Sequence, residues 1–393
     1  MNALYIINGL GFANNPGIGG GDKRFIEIIR HNPKKNAVQM SILTTEIGYS
    51  IFYKDEKLNM KYKITKRPRW WPKRINDYIF GRVLSYIYAT VAGMIHLYHQ
   101  KSYDIVVATS DNYFDIIPAI FYKILHKKKM ICIVHHYIQV PWKRNGNLIT
   151  NVLLFTSQQL SLRLITHFTD SLLLYETPEG KRIASLFDTP FQKKIRFVHN
   201  GIDTDLIDSV PTQKKIYDAC FVGGLRRSKG IFDLPKIWSE VVKKNFKAKL
   251  IVIGGYSDKK LYDDLALHVT RYKLQDNVIF AGPLSGKKLF KTLKSSKSFL
   301  LPSYEEGWGI AVCEALYAGL PVVCYDLPAF KIFSKAIDKY PVGDTDSVSA
   351  QISYYLNNPD AIHKKIPLLQ ETARQYSWQT IAENELKILK NTL

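Results

Sequence analysis

Acidic residues are scarce in this chain: 34 Asp and Glu stand against 55 Lys and Arg, which leaves +21 over 393 residues. The shortage is uneven, because residues 1–200 carry 28 basic and 13 acidic side chains, a local excess of +15. A field of this sign attracts polyanions, whether nucleic acid, anionic lipid or a phosphorylated substrate, without choosing among them. Cysteine is scarce too. Cys132, Cys220, Cys313 and Cys324 show no CxxC or other metal-ligand spacing, and each sits in an apolar stretch. That argues against a zinc ribbon or a disulfide scaffold and for four buried, reduced thiols in a cytoplasmic chain. No apolar run is long enough to span a bilayer. The longest apolar window, Val83 to Tyr98, contains no charge but is broken by Ser85, Thr90, Gly93 and His96, and reads as a buried or interfacial helix. The opening MNALYIINGLGF lacks a charged leader and a small-residue cleavage site, and reads as a first buried strand. No repeat or low-complexity tract stands out.

What is abundant is a βα rhythm. Short apolar runs at 4–7, 38–43, 105–108, 130–134, 171–174 and 195–198 alternate with helix-like segments in the first half, and runs at 218–222, 248–253, 278–281, 298–301 and 321–324 do so in the second. Continuous β-branched runs suit parallel strands covered on both faces. Two series predict two Rossmann-like, doubly wound α/β domains, joined where Asn-Gly, Asp and Pro cluster between 200 and 213. In such sheets ligands bind beyond the carboxyl ends of the strands, at the starts of helices.

The richest of those loops is PSYEEGWGIAVCEALYAGLPVVCYDLPAF, starting at Pro302. Gly307 and Gly309 let backbone approach a ligand, and the amides from Gly309 and Ile310 onward open a helix whose dipole favours an anion. Glu314, one turn in, is placed to accept two hydroxyl hydrogen bonds, and Glu306 on the loop is placed to hold a second polyol. The blander alternative makes Glu306 a solvated loop acid and Glu314 a partner of the helix dipole.

This segment resembles the E-x7-E region of family 4 glycosyltransferases, with Glu306, Trp308, Gly309 and Glu314 matching by position and Gly319–Val323 and Asp326 matching downstream. Other motifs follow in the family's order. His199–Asp203 resembles its interdomain turn, Phe221–Leu225 through Lys229-Gly230 its phosphate loop, and Tyr376–Trp378 the start of its last helix. The resemblance implies a GT-B fold: a 1–205 acceptor-binding domain and a 206–375 nucleotide-sugar domain facing across a cleft, with a 376–393 helix crossing back. It implies a retaining transfer from a nucleoside-diphosphate sugar with Glu306, His135 and Lys229 at the reacting centre. Gly20, Gly21, Gly223, Pro283, Leu284, Trp308, Gly309, Ile310 and Glu314 would bind the donor. One departure stands out: Gly224 replaces the family's usual arginine. Arg226 or Arg227, on the same loop, is expected to supply the missing guanidinium.

In the first half, Gly17-Ile18-Gly19-Gly20-Gly21 precedes a helical pattern without completing a dinucleotide fingerprint, and fits the family's Gly-Gly loop better. His135 and His136 end a strand, so alternation turns only one toward the cleft. His135 is the expected one, with His136 open. Residues 61–82 interleave basic residues with Trp70, Trp71, Tyr78 and Phe80, a composition that suits an anionic membrane surface and, less well here, nucleic acid. Packing of the tryptophans on the core is the plain alternative. The two Asp-Thr-Asp triplets, 203–205 and 344–346, follow no strand end, so no catalytic metal and no cofactor are expected. The expectation is a peripheral enzyme on the inner membrane face, acting on a glycan or a polyprenyl- or other lipid-linked acceptor. Its rivals are an epimerase or hydrolase on the same fold, or a sugar-nucleotide- or RNA-binding protein without catalysis.

Overall fold

The computed structural model describes residues 1–8, 20–32, 38–50, 54, 58, 60–66, 79–144, 147–256 and 258–393. Trp70, Trp71 and Tyr78, and the first three residues of the Gly17–Gly21 run, lie outside that set.

The described residues form two compact units, one of residues 1–200 with 378–393 and one of residues 201–377. The first is built on seven strands: β1 (Asn2–Ile7), β2 (Gln39–Thr45), β3 (Lys61–Thr65), β4 (Ile105–Ala108), β5 (Lys129–Val134), β6 (Ser171–Tyr175) and β7 (Ile195–Val198). They lie in the order β3-β2-β1-β4-β5-β6-β7, and every pairing is parallel. The second carries β8 (Tyr217–Val222), β9 (Leu250–Ile253), β10 (Val278–Gly282), β11 (Ser296–Leu301), β12 (Val322–Tyr325) and β13 (Ile337–Tyr340), also all parallel, in the order β10-β9-β8-β11-β12-β13. Central strands are apolar along their whole length because helices cover both faces: β4 (IVVA) and β9 (LIVI) are buried at every residue.

Eleven of the thirteen strands coincide with the apolar runs of the sequence. The other two, β3 and β13, are edge strands. Their KYKIT and IDKY sequences mix charge with apolar residues because one side of each faces no further strand. Lys61–Lys63 thus belong to a sheet edge.

The helix Trp378–Thr392 belongs to the first unit, packing on the helix Gly20–Arg30 and on β7. A buried ion pair, Arg24 with Glu385, ties the two helices. Both Asp-Thr-Asp triplets cap helices. Asp203 accepts from Leu206 N and Asp344 from Ser347 N, each at the start of the helix that follows it. The four cysteines are buried and unpaired. Among the described residues no helix is long and apolar enough to cross a membrane.

Each sheet has one reversal of strand order, between β1 and β4 in the first unit and between β8 and β11 in the second. The loops leaving these strands diverge to opposite faces and open a crevice, where ligands of such sheets bind.

Candidate functional site

At the second reversal the loop after β8 meets the loop after β11. The first runs Gly223–Gly230, and its backbone is pressed close to its neighbours: a Cβ on Gly254 would lie 1.9 Å from the Gly223 carbonyl oxygen. A short 3-10 turn, Arg227–Lys229, ends on Gly230 at φ +67°, where a Cβ would lie 1.8 Å from the carbonyl oxygen of Pro302. Immediately beyond that contact, Tyr304 N donates to Ser228 O at 2.9 Å. The stitched loops bring Lys229 Nζ to Glu306 Oε1 at 2.6 Å, with Ser303 Oγ donating to the same oxygen at 3.1 Å. Two residues that no sequence signal marked hold this loop: Tyr304 and Tyr325 both donate to Asp233 Oδ2, at 2.7 and 2.6 Å.

Gly309 adopts φ +99° and begins the helix Ile310–Tyr317 with no side-chain cap on its first amides. Phe330 packs where a Cβ on Gly309 would be, 2.8 Å from that point. Glu314 is buried in this helix. Trp308 stands differently from its expected role. Its indole is 2% exposed and lies edge-on to Phe333 and Tyr376, so its side chain packs the core while its neighbours line the turn.

The two candidate arginines separate. A Cβ on Gly224 would meet Arg226 Nε at 3.2 Å, so the Arg226 guanidinium lies over Gly224 itself. Arg227 stacks on Phe232 at 4.7 Å and, with Asp264, His268 and Arg271, lines a separate hollow. Of the two, Arg226 is therefore the side chain that lies against Gly224. Pro283 and Leu284 follow β10, Pro283 exposed and Leu284 half-buried.

In the first unit, Gly20 opens a helix and Gly21 lies against the imidazole of His135, where a Cβ would stand 3.1 Å from Nε2. That ring is fixed at both nitrogens. Nε2 donates to the Thr109 carbonyl at 2.7 Å, which leaves Nδ1 to accept from the Tyr175 hydroxyl at 2.8 Å. Tyr175 also contacts Asn200 Oδ1 at 3.2 Å. His136 is exposed, and its carbonyl accepts from Gln158, which also donates to Asp111. Neither ring nitrogen of His135 is open to a ligand in this arrangement. Asp111, Gln158 and Tyr175 came with no motif, because each was isolated in sequence and meets its partner only in the fold.

Asp115 lies nearby, accepting from Asn8 N at 2.8 Å and from Ser110 Oγ. Burial pushes Asp115 up to about 7 and His135 down to about 4. His135 thus binds fewer protons folded than unfolded, so its stabilisation is present above its ordinary 6.5 and is lost as pH falls toward 4. Asp115 binds more protons folded, so its stabilisation is full below its ordinary 3.8 and is lost as pH rises toward 7. The two slopes oppose each other in one window, and single variants separate them. Relative to wild type, Asp115→Asn should gain in Tm as pH is raised through that window, and His135→Gln should gain as it is lowered. Differential scanning calorimetry across the range checks both signs; parallel curves for all three proteins would contradict this assignment.

Comparison with known proteins agrees with this geometry. Residues 203–371 match the model of glycosyl transferases group 1. An uncharacterized glycosyltransferase of Methanocaldococcus jannaschii is 26% identical over 239 residues, 53% of this chain and 57% of that protein. A GDP-mannose:cellobiosyl-diphosphopolyprenol alpha-mannosyltransferase of Xanthomonas oryzae is 24% identical over 157 residues, 40% of this chain and 41% of its own. The chain spans 50% to 64% of the length of the first three curated relatives it matches. Among solved structures, Anabaena HepE in complex with UDP and glucose superposes over 100% of both chains at TM-score 0.75 and 12% identity. The architecture is thus the GT-B fold. The segment 203–371, which makes up the body of the second unit, belongs to the glycosyl transferases group 1 family.

Proposed function

We propose that the chain is a retaining glycosyltransferase that moves a sugar from a nucleoside-diphosphate sugar to a glycan or lipid-linked acceptor without a metal. The observation that carries this reading is the Lys229–Glu306 pair at the strand-order reversal, beside the uncapped helix start at Gly309. A diphosphate at this point would meet Lys229, the Arg226 guanidinium and the amides of Gly309 and Ile310, all donors or positive charges. The acceptor hydroxyl oxygen forms a bond to the anomeric carbon as the bond from that carbon to the diphosphate oxygen breaks. The departing oxygen gains negative charge, which these groups stabilise, and a phosphate oxygen takes the acceptor's proton. Glu306 and Glu314 hold hydroxyls of the sugar and ribose. In this reading the neutral His135 is a wall of the acceptor side rather than a base, since both of its nitrogens are spent within the fold.

The polyprenol-linked acceptor in the name of the Xanthomonas relative supports a lipid-linked acceptor here. Thermal-shift measurements with a panel of nucleoside diphosphates and sugar nucleotides test the donor. A ligand at roughly 100 times its Kd adds about 2.7 kcal/mol to the stability of the form that binds it. No shift with any member of the panel would refute the reading. Consumption of the donor with no acceptor present would instead favour the epimerase or hydrolase, and binding without turnover the non-catalytic protein.

A further inference from the structure

The helix Leu148–Phe168 exposes apolar side chains where a soluble helix ordinarily presents polar ones. Leu148, Ile149, Val152, Leu153 and Leu154 are all exposed, Ile149 at 71% and Leu153 at 66%, and Trp142 just before them is 76% exposed. The cause is geometric. Tyr113 at the start of the neighbouring helix Tyr113–His126 donates to Ser157 O at 3.1 Å, so nine residues of the longer helix precede that contact. At about 1.5 Å per residue they reach roughly 14 Å beyond it, past the layer that would cover them. The projection is braced. Asn147 caps it, accepting from Thr150 N, and the buried Asn151 side chain donates to the carbonyls of Pro141 and Arg144, clipping the Trp142 turn to the helix.

Its charge setting is one-sided. Residues 116–169 contain no Asp or Glu and seven Lys or Arg, with Lys143 and Arg144 beside Trp142. We propose that Trp142 and the first two turns of this helix form a wedge that docks on an anionic lipid bilayer. Aliphatic side chains and an indole enter the headgroup boundary while Lys143 and Arg144 meet anionic headgroups. A second copy of the chain fits less well, because a two-fold contact would bring Lys143 and Arg144 of one copy close to those of the other. The wedge is also tied to the acceptor side of the first unit: Gln158, two turns on, donates to Asp111 and to the carbonyl of His136. The biological use of the wedge rests on the lipid-linked acceptor proposed above, whereas its membrane affinity does not.

The test is co-sedimentation of the full chain with phosphatidylcholine vesicles, with and without phosphatidylglycerol, in the absence of donor and acceptor. Wild type should bind only the anionic vesicles and should be released by salt. The double variant Ile149→Glu, Leu153→Glu should lose at least about tenfold in partitioning, with an unchanged Tm because both side chains are exposed. Ile95→Glu, equally exposed at the far end of the helix Ile79–Tyr98, should bind as wild type does. Equal binding by the double variant, binding to neutral vesicles alone, or loss of binding by Ile95→Glu would each overturn the proposal. So would a wild-type dimer, seen by light scattering, that the double variant abolishes while vesicle binding is absent. Failure here would leave the sugar-nucleotide shifts untouched, so the two readings fail separately.

Discussion

Glu306→Gln is expected to lower kcat/KM for sugar transfer by roughly 10²–10³-fold while leaving affinity for the free nucleoside diphosphate equal to or higher than that of wild type. The second half of that expectation comes from the unliganded pair. Lys229 Nζ lies 2.6 Å from Glu306 Oε1, and both side chains are largely shielded from water. A diphosphate must therefore take Lys229 from its carboxylate partner and sit beside that negative charge. Glutamine keeps the shape and the hydrogen bond from Ser303 but removes the charge, so Lys229 is freed for the phosphate. What is lost is the carboxylate's hold on the sugar, which matters only when a sugar is present. Lys229→Met should behave oppositely, weakening nucleoside diphosphate binding and transfer together. Calorimetric titration with the diphosphates, set beside steady-state transfer, separates the two. If Glu306→Gln transfers within threefold of wild type, or if both variants lose diphosphate affinity alike, the roles given to this pair are wrong.

Much of this site was legible because its chemistry lies in consecutive residues. The Gly-aromatic-Gly turn, the two glutamates and the Lys229-Gly230 step are local patterns, and the strands before them are uniformly apolar. Legibility stopped where the third dimension decides. Arg226 and Arg227 are adjacent and chemically identical, and only the fold lays one over Gly224 and the other on Phe232. Trp308 matches a motif position, yet its indole fills the core between Phe333 and Tyr376, a partnership between residues far apart in the chain. The bonds to both nitrogens of His135 come from Thr109, just after β4, and from Tyr175 at the end of β6, which no spacing rule connects. The edge strands β3 and β13 were hidden for a different reason: an edge needs less apolar surface, so its signal is diluted by charge. The apolar wedge at Leu148 was hidden because its residues have ordinary helical spacing. Exposure arises from how far the helix overshoots its neighbour, and sequence does not record that.

Gly230→Ala is expected to destabilise the second unit by more than about 3 kcal/mol, a cost that a left-handed backbone alone does not explain. Gly230 lies at φ +67°, and a Cβ there would stand 1.8 Å from the Pro302 carbonyl oxygen and 2.7 Å from its carbon. These are backbone atoms, so no side chain can rotate away and one of the two loops must move. Gly286 supplies the control. It also has positive φ, +56°, but nothing lies within 4 Å of its Cβ position, so Gly286→Ala should cost only the conformational term, about 1 kcal/mol. With roughly 2–4 °C of Tm per kcal/mol for a unit of this size, the first variant should melt at least about 6 °C below wild type and the second only a few degrees below. The same contact has a functional consequence. Lys229 precedes Gly230 and Ser303 follows Pro302, so prising the loops apart at this point pulls the two ends of the Lys229–Glu306 pair away from each other. Transfer by surviving folded Gly230→Ala should therefore fall while Gly286→Ala keeps wild-type turnover. Equal melting temperatures for the two variants would mean that the loops do not touch at Gly230, and the stitched geometry of the site would go with that contact.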